Sequence, residues 1–235
     1  MRVVSNRVDC YAIGTDSNDS PGDIVIEMGG KLFVEANGDT VTAIGGGKNE
    51  NSKVIRILGG DVTVLCSGRN CLGIGIADGN SIVDIENCKC NIMVTSPNCV
   101  GIGSIKGSVD INVKNIMTTL KLSGITAAGF GTPDGGSGRI IIRNGDINCC
   151  INGRTVNCIG TRNGSINCML NNDTVTLYCE SASVSGIGDM YGDGDVCIEE
   201  TEMDFTFLTG EGMAYGSRNG LVQLSKCTEQ ISINA

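Results

Sequence analysis

A three-residue signature returns eight times along the chain: a small residue, a large apolar residue, a glycine. It reads Ala12-Ile13-Gly14, Ala43-Ile44-Gly45, Gly73-Ile74-Gly75, Gly101-Ile102-Gly103, Gly129-Phe130-Gly131, Cys158-Ile159-Gly160, Gly186-Ile187-Gly188 and Ala214-Tyr215-Gly216. Successive closing glycines are 31, 30, 28, 28, 29, 28 and 28 residues apart. A period this regular dictates a repeat architecture, in which each unit buries its apolar face against its neighbours.

Between the glycines lie two short strand-forming runs. The first supplies the pairs Ile24/Ile26, Ile55/Ile57, Val83/Ile85, Val109/Ile111, Ile140/Ile142, Ile166/Cys168, Val196/Ile198 and Val222/Leu224. The second supplies Leu32/Val34, Val62/Val64, Ile92/Val94, Leu120/Leu122, Cys149/Ile151, Val175/Leu177, Phe205/Phe207 and Ile231/Ile233. One residue separates the members of each pair, so both side chains share one face of a strand. Turn residues such as Gly29-Gly30, Gly59-Gly60 and Asn144-Gly145 bracket the runs. No stretch carries the 3.6-residue period of a helix.

Two inward strands plus the apolar residue of the signature describe one coil of a parallel β-helix, with Gly14, Gly45, Gly75, Gly103, Gly131, Gly160, Gly188 and Gly216 as structural corners. The expected fold is all-β: a single-domain parallel β-helix over residues 1–235, with 28–31 residues per coil and seven full coils plus partial end coils. Stacked at the strand spacing, those coils make a rod about 34 Å long. A flexible glycine-rich chain would not keep its apolar pairs in register. A propeller needs longer repeats, and an antiparallel sandwich has no reason to repeat a glycine corner.

These coils resemble right-handed parallel β-helix proteins and the Gly-Ile-Gly type repeats of bacterial surface proteins, over the whole chain. The resemblance implies the architecture and carries no activity with it, because fold does not imply function.

Charge and cysteine content narrow the partners. The net charge is -9, and the 17 basic residues are scattered, so phosphate-backbone binding is not expected and nucleic acid is a poor partner. No segment approaches the roughly 18 apolar residues of a membrane span, and the first residues lead into no signal-peptide core. Thirteen cysteines is an odd number, and Cys149, Cys158 and Cys168 fall at core positions. Reduced cysteine packs as a small hydrophobe, which points to a cytoplasmic, reducing compartment. Neither end carries a polar cap. The expectation is a piece of a larger assembly, with the open ends meeting a protein partner or a second copy.

Chemistry is sparse. There is no histidine, which removes Ser-His and Cys-His nucleophilic arrangements and histidine-ligated metals. Gly45-Gly46-Gly47-Lys48 lacks the spacing of a phosphate loop. No cofactor is indicated. The outward column of the first strand reads Val25, Arg56, Asp84, Asp110, Ile141, Asn167, Cys197 and Gln223. In that register Asp84 and Asp110 stack about 5 Å apart with Arg56 before them. Two carboxylates so close form an acid/base pair of the kind that cleaves polysaccharide; the opposing view is an ordinary surface ladder. Polygalacturonase-like enzymes also carry Gly-His-Gly and Arg-Ile-Lys segments, which this chain lacks.

Two acid-rich loops, with Asp16, Asn18, Asp19 and Asp23 in one and Asp189, Asp193 and Asp195 in the other, offer oxygen ligands for a cation such as calcium; turn formation explains the same residues. Carbohydrate binding is a third possibility, weakened by the absence of Trp and the few exposed rings. A flat Thr ladder for an ice-binding face begins at Thr63, Thr176 and Thr206, but Phe33, Met93 and Lys121 interrupt it in this register. The leading expectation is a non-catalytic interaction, scaffold or ligand-sensing rod.

Overall fold

A computed structural model describes residues 1–15 and 23–234. It is a parallel β-solenoid of about eight turns in a single continuous sheet, all-β throughout. Three parallel ladders run along it. Ladder 1 begins at Ile24–Glu27 and ends at Val222–Ser225; ladder 2 runs from Arg2–Asn6 to Thr228–Asn234; ladder 3 starts at Asp9–Thr15 and carries the glycine signatures. Five long strands, Thr40–Leu58, Asn70–Glu86, Asp146–Thr161, Thr174–Asp189 and Glu202–Ser217, turn a corner and serve two ladders each.

Ladder 3 matches the sequence pattern at every coil. Ile13, Ile44, Ile74, Ile102, Phe130, Ile159, Ile187 and Tyr215 form one column, and the eight glycines form the next. Two constraints demand glycine at these corners. Their φ lies between 108° and 147°, a region open in practice only to glycine. In addition, a Cβ on Gly14 would sit 1.6 Å from the Gly45 carbonyl oxygen, and one on Gly131 would sit 2.1 Å from that of Gly160.

Ladders 1 and 2 correct five expected pairs by two residues each. Val83/Ile85 is followed by Ile111/Val113, not Val109/Ile111, and Ile140/Ile142 by Cys168/Leu170, not Ile166/Cys168. In ladder 2, Val34/Ala36 and Val64/Cys66, not Leu32/Val34 and Val62/Val64, lead to Ile92/Val94, and Cys149 and Ile151 pair with Leu177 and Cys179, not Val175 and Leu177. A two-residue slip keeps every side chain on the same face, so apolar patterning alone is blind to it. A turn sets the true register. Asn87, Asn115, Asn144 and Asn172 all adopt left-handed φ of 51–55°, which asparagine tolerates better than most residues, and each lies two residues after the last inward residue of ladder 1. Their amides form a chain of hydrogen bonds: Asn115 Nδ2 donates to Asn87 Oδ1 at 3.0 Å, Asn144 to Asn115 at 3.0 Å and Asn172 to Asn144 at 2.8 Å.

The core is the cylinder enclosed by the ladders, with Phe130, Phe205 and Phe207 among its largest fully buried side chains. All thirteen cysteines are free thiols and ten are buried, so they fill volume as small apolar groups. A smaller apolar cluster of Leu72, Ala77, Val100 and Ala128 lies beside the main core.

Candidate functional site

The outward face of ladder 1 carries the charged residues singled out in the sequence, in a changed arrangement. Arg56 pairs with Asp84 across the ladder, but Asp84 pairs next with Asn112; Asp110 lies between Ile82 and Arg139. The expected Asp84–Asp110 stack is therefore not formed, because Val109–Lys114 enters the ladder two residues later than the apolar pattern suggested. Each carboxylate has its own partner. Arg56 Nη2 donates to Asp84 Oδ2 at 3.2 Å, and Arg139 Nε and Nη2 donate to Asp110 at 2.8 and 2.9 Å. Lys114 adds a contact to Glu86 at 3.6 Å. This is a face knitted by ion pairs rather than a pair of carboxylates forced together.

The acid-rich loops resolve differently. Asp16, Asn18 and Asp19 lie outside the described residues, and Asp23 Oδ1 accepts from the Val54 amide at 3.1 Å. Asp189 is fully buried and accepts from three amides, Thr161 at 3.2 Å, Ile166 at 2.8 Å and Gly194 at 3.0 Å. Burial raises its pKa, and the three amides oppose that rise. Asp193 accepts from Asn219 Nδ2 at 2.6 Å and Asp195 from the Leu221 amide at 2.8 Å. These carboxylates organise turns. No group of three metal-ligating side chains occurs among the described residues.

Sequence reading missed a second buried acid. Asp173, 4% exposed, follows the left-handed Asn172 and accepts from the Gly145 amide at 2.6 Å and the Asn171 amide at 2.8 Å. Desolvation pushes its pKa up to about 6. Its position in the turn repeats Cys88, Ile116 and Gly145 of earlier coils, and that alignment is the signal that could have marked it as buried. An open groove of about 910 Å³ runs along this turn, lined by Asn115, Asn144, Asn172, Lys89, Met117 and Glu202.

The outward face of ladder 2 was misjudged through the same register slip. Its true central row is Thr63, Asn91, Thr119, Asn148 and Thr176, uninterrupted over five coils. Met93 and Lys121 belong to the adjacent row with Leu65, Cys150 and Tyr178; Phe33 does precede Thr63. Among the described residues, none of these five Thr and Asn side chains is hydrogen-bonded to another protein group. The neutral row offers a donor and an acceptor at every coil, about 4.8 Å apart. No helix among the described residues is long and apolar enough to cross a membrane.

No protein-family model, curated protein or solved structure matches this chain, so its assignment rests on its own geometry, that of a parallel β-solenoid.

Proposed function

We propose that the chain is a non-catalytic interaction rod that associates end to end with further copies of itself. The last coil carries this reading. Val222 and Leu224 continue the core columns of Val196 and Ile198, and Ile231 and Ile233 continue those of Phe205 and Phe207. All four are 37–46% exposed. At the opposite end Ile13, Ile24 and Ile26 are only partly buried against the core. Parallel strands make the two ends unlike, so each complements the other and not itself, the geometry of a head-to-tail contact. Among the described residues, ladder 2 holds nine strands against eight in each of the other two. In such a contact the Thr228–Asn234 strand of one copy and the Arg2–Asn6 strand of the next compete for a single place. The test is molar mass by light scattering over a concentration series. Mass should rise with concentration, fall to the monomer in Leu224→Lys, and rise more steeply when residues 228–235 are removed. A monomer at every concentration defeats the reading.

Carbohydrate binding is a second reading, favoured by the unpaired Thr63–Thr176 row with Met93 and Tyr178 exposed beside it. Neutral hydroxyl and amide groups suit a neutral polysaccharide. Retardation in native gels containing such a polymer, lost in the Asn91→Ala/Asn148→Ala double variant, supports it; unchanged migration in neutral polysaccharides refutes it. The polysaccharide-cleaving alternative rested on a carboxylate stack that does not form. Burial of ten thiols supports a reducing, cytoplasmic setting.

A further inference from the structure

In five coils the small residue that opens the glycine signature faces the ladder 2 strand of the following coil. Where it is glycine, the missing side chain leaves room for that neighbour. A Cβ on Gly73 would lie 2.8 Å from Ile92 Cγ2, one on Gly101 3.1 Å from Leu120 Cδ1, and one on Gly186 3.0 Å from Phe207 Cζ. In one coil the small residue is Cys158, and the residue opposite is Cys179, in the column of Ile151 and Phe207. Their sulfurs are 3.1 Å apart and both residues are fully buried.

From this contact we propose that Cys158 and Cys179 form a disulfide that ties two consecutive coils together when the chain folds in the presence of a small-molecule disulfide. One cysteine thiolate attacks the reagent R–S–S–R, giving a mixed disulfide and releasing one R–S⁻. The second cysteine sulfur attacks the protein sulfur of that mixed disulfide and expels the other R–S⁻. Both thiol protons leave to solvent or to the departing thiolates. The two cysteines are oxidised by two electrons and the reagent is reduced to two thiols.

Among the described residues this is the one sulfur–sulfur contact that joins two coils; Cys71 and Cys99 are neighbours across ladder 3 without such a contact. Cys88 and Cys90 also touch, at 3.5 Å, but they are two residues apart on one run of chain, and a bridge there would tie no coil to another. Cys149 lies near both members of the pair and is the nearest competing thiol that interacts with both. The hydrogen bond to Cys179, reinforced by burial, holds the Cys158 thiol well above its ordinary pKa. Exchange in the closed core is therefore suppressed, so the bridge forms as these two coils come into contact, before the core closes over them.

The test is refolding of the reduced, unfolded chain in a glutathione redox buffer, followed by alkylation and non-reducing peptide mapping. One linked peptide joining 158 to 179 is expected, with a thermal midpoint raised by roughly 5–10 °C over the reduced protein. Cys158→Gly restores the corner residue of neighbouring coils, so it should fold, lose the link and lose the rise. Cys149→Ser should keep both. Links that run mainly through Cys149 or elsewhere, or a folded protein with no link, overturn the proposal.

Discussion

Asp110 is held by Arg139, one coil further along ladder 1, through two parallel hydrogen bonds of 2.8 and 2.9 Å. The planar guanidinium suits a carboxylate in this two-point geometry, yet both side chains are well exposed, at 60% and 37%. Asp110→Asn should therefore cost less than about 1 kcal/mol of stability. Thermal melts with and without 0.5–1 M salt, about the range where exposed pairs are screened, should show the cost shrinking as salt rises. A loss of several kcal/mol would mean that the pair does more than decorate the surface.

Asp173 gives the rod a pH dependence of defined sign. Its folded pKa is raised to about 6 from 3.8, so between those values the folded state binds more protons than the unfolded state. Stability contributed by this residue is greatest below the lower value and falls as pH rises through the upper one. The shift corresponds to about 3 kcal/mol. Urea midpoints measured from pH 4 to pH 7 should decline in the native protein and decline less in Asp173→Asn. Asp189, also raised by burial, adds to the decline in the same direction.

Corner glycines should differ in their tolerance of a side chain according to whether a coil lies beyond them. Gly103→Ala would put a Cβ 2.0 Å from the Gly131 carbonyl oxygen, whereas at Gly216 the nearest heavy atom is Met213 Sδ at 3.6 Å. Both substitutions strain the backbone, by about 1–3 kcal/mol. Only the first also forces two coils apart, and it should cost several kcal/mol more. Circular-dichroism melts of the two variants would rank them.

Thr118 is a buried hydroxyl in an apolar column, between Cys90 and Ile147, and its Oγ1 has no hydrogen-bond partner. Valine has nearly the same shape and no polar group to desolvate. Thr118→Val should raise stability by about 1 kcal/mol, read as an upward shift of the urea midpoint with an unchanged slope.

The parts of the fold legible in the sequence were those with an unambiguous steric marker. A glycine needed for both φ and close approach can sit in one place only, so all of ladder 3, from Gly14 to Gly216, was placed correctly. The inward pairs carried a weaker marker. Val109, Ile111 and Val113 all point inward, and nothing in their hydrophobicity says which two match Val83 and Ile85. That degeneracy created the apparent Asp84–Asp110 stack and hid the Thr63–Thr176 row. Reading Asn87, Asn115, Asn144 and Asn172 as one turn would have removed it. Asp173 was hidden for another reason: aspartate next to asparagine is what any solvated turn contains, and only its alignment with the buried Cys88, Ile116 and Gly145 marks it as an inward position.

The left-handed asparagines divide the chain into interchangeable lengths. Excising residues 88–115 would join Asn87 to Ile116, which already follows a left-handed asparagine in an identical turn. The shortened protein would keep its corners in phase and lose one strand spacing, about 4.8 Å. The molecule is thus a ruler whose graduations are written in its own sequence, and its length can be set by duplication or loss of whole units without redesign of any contact inside them.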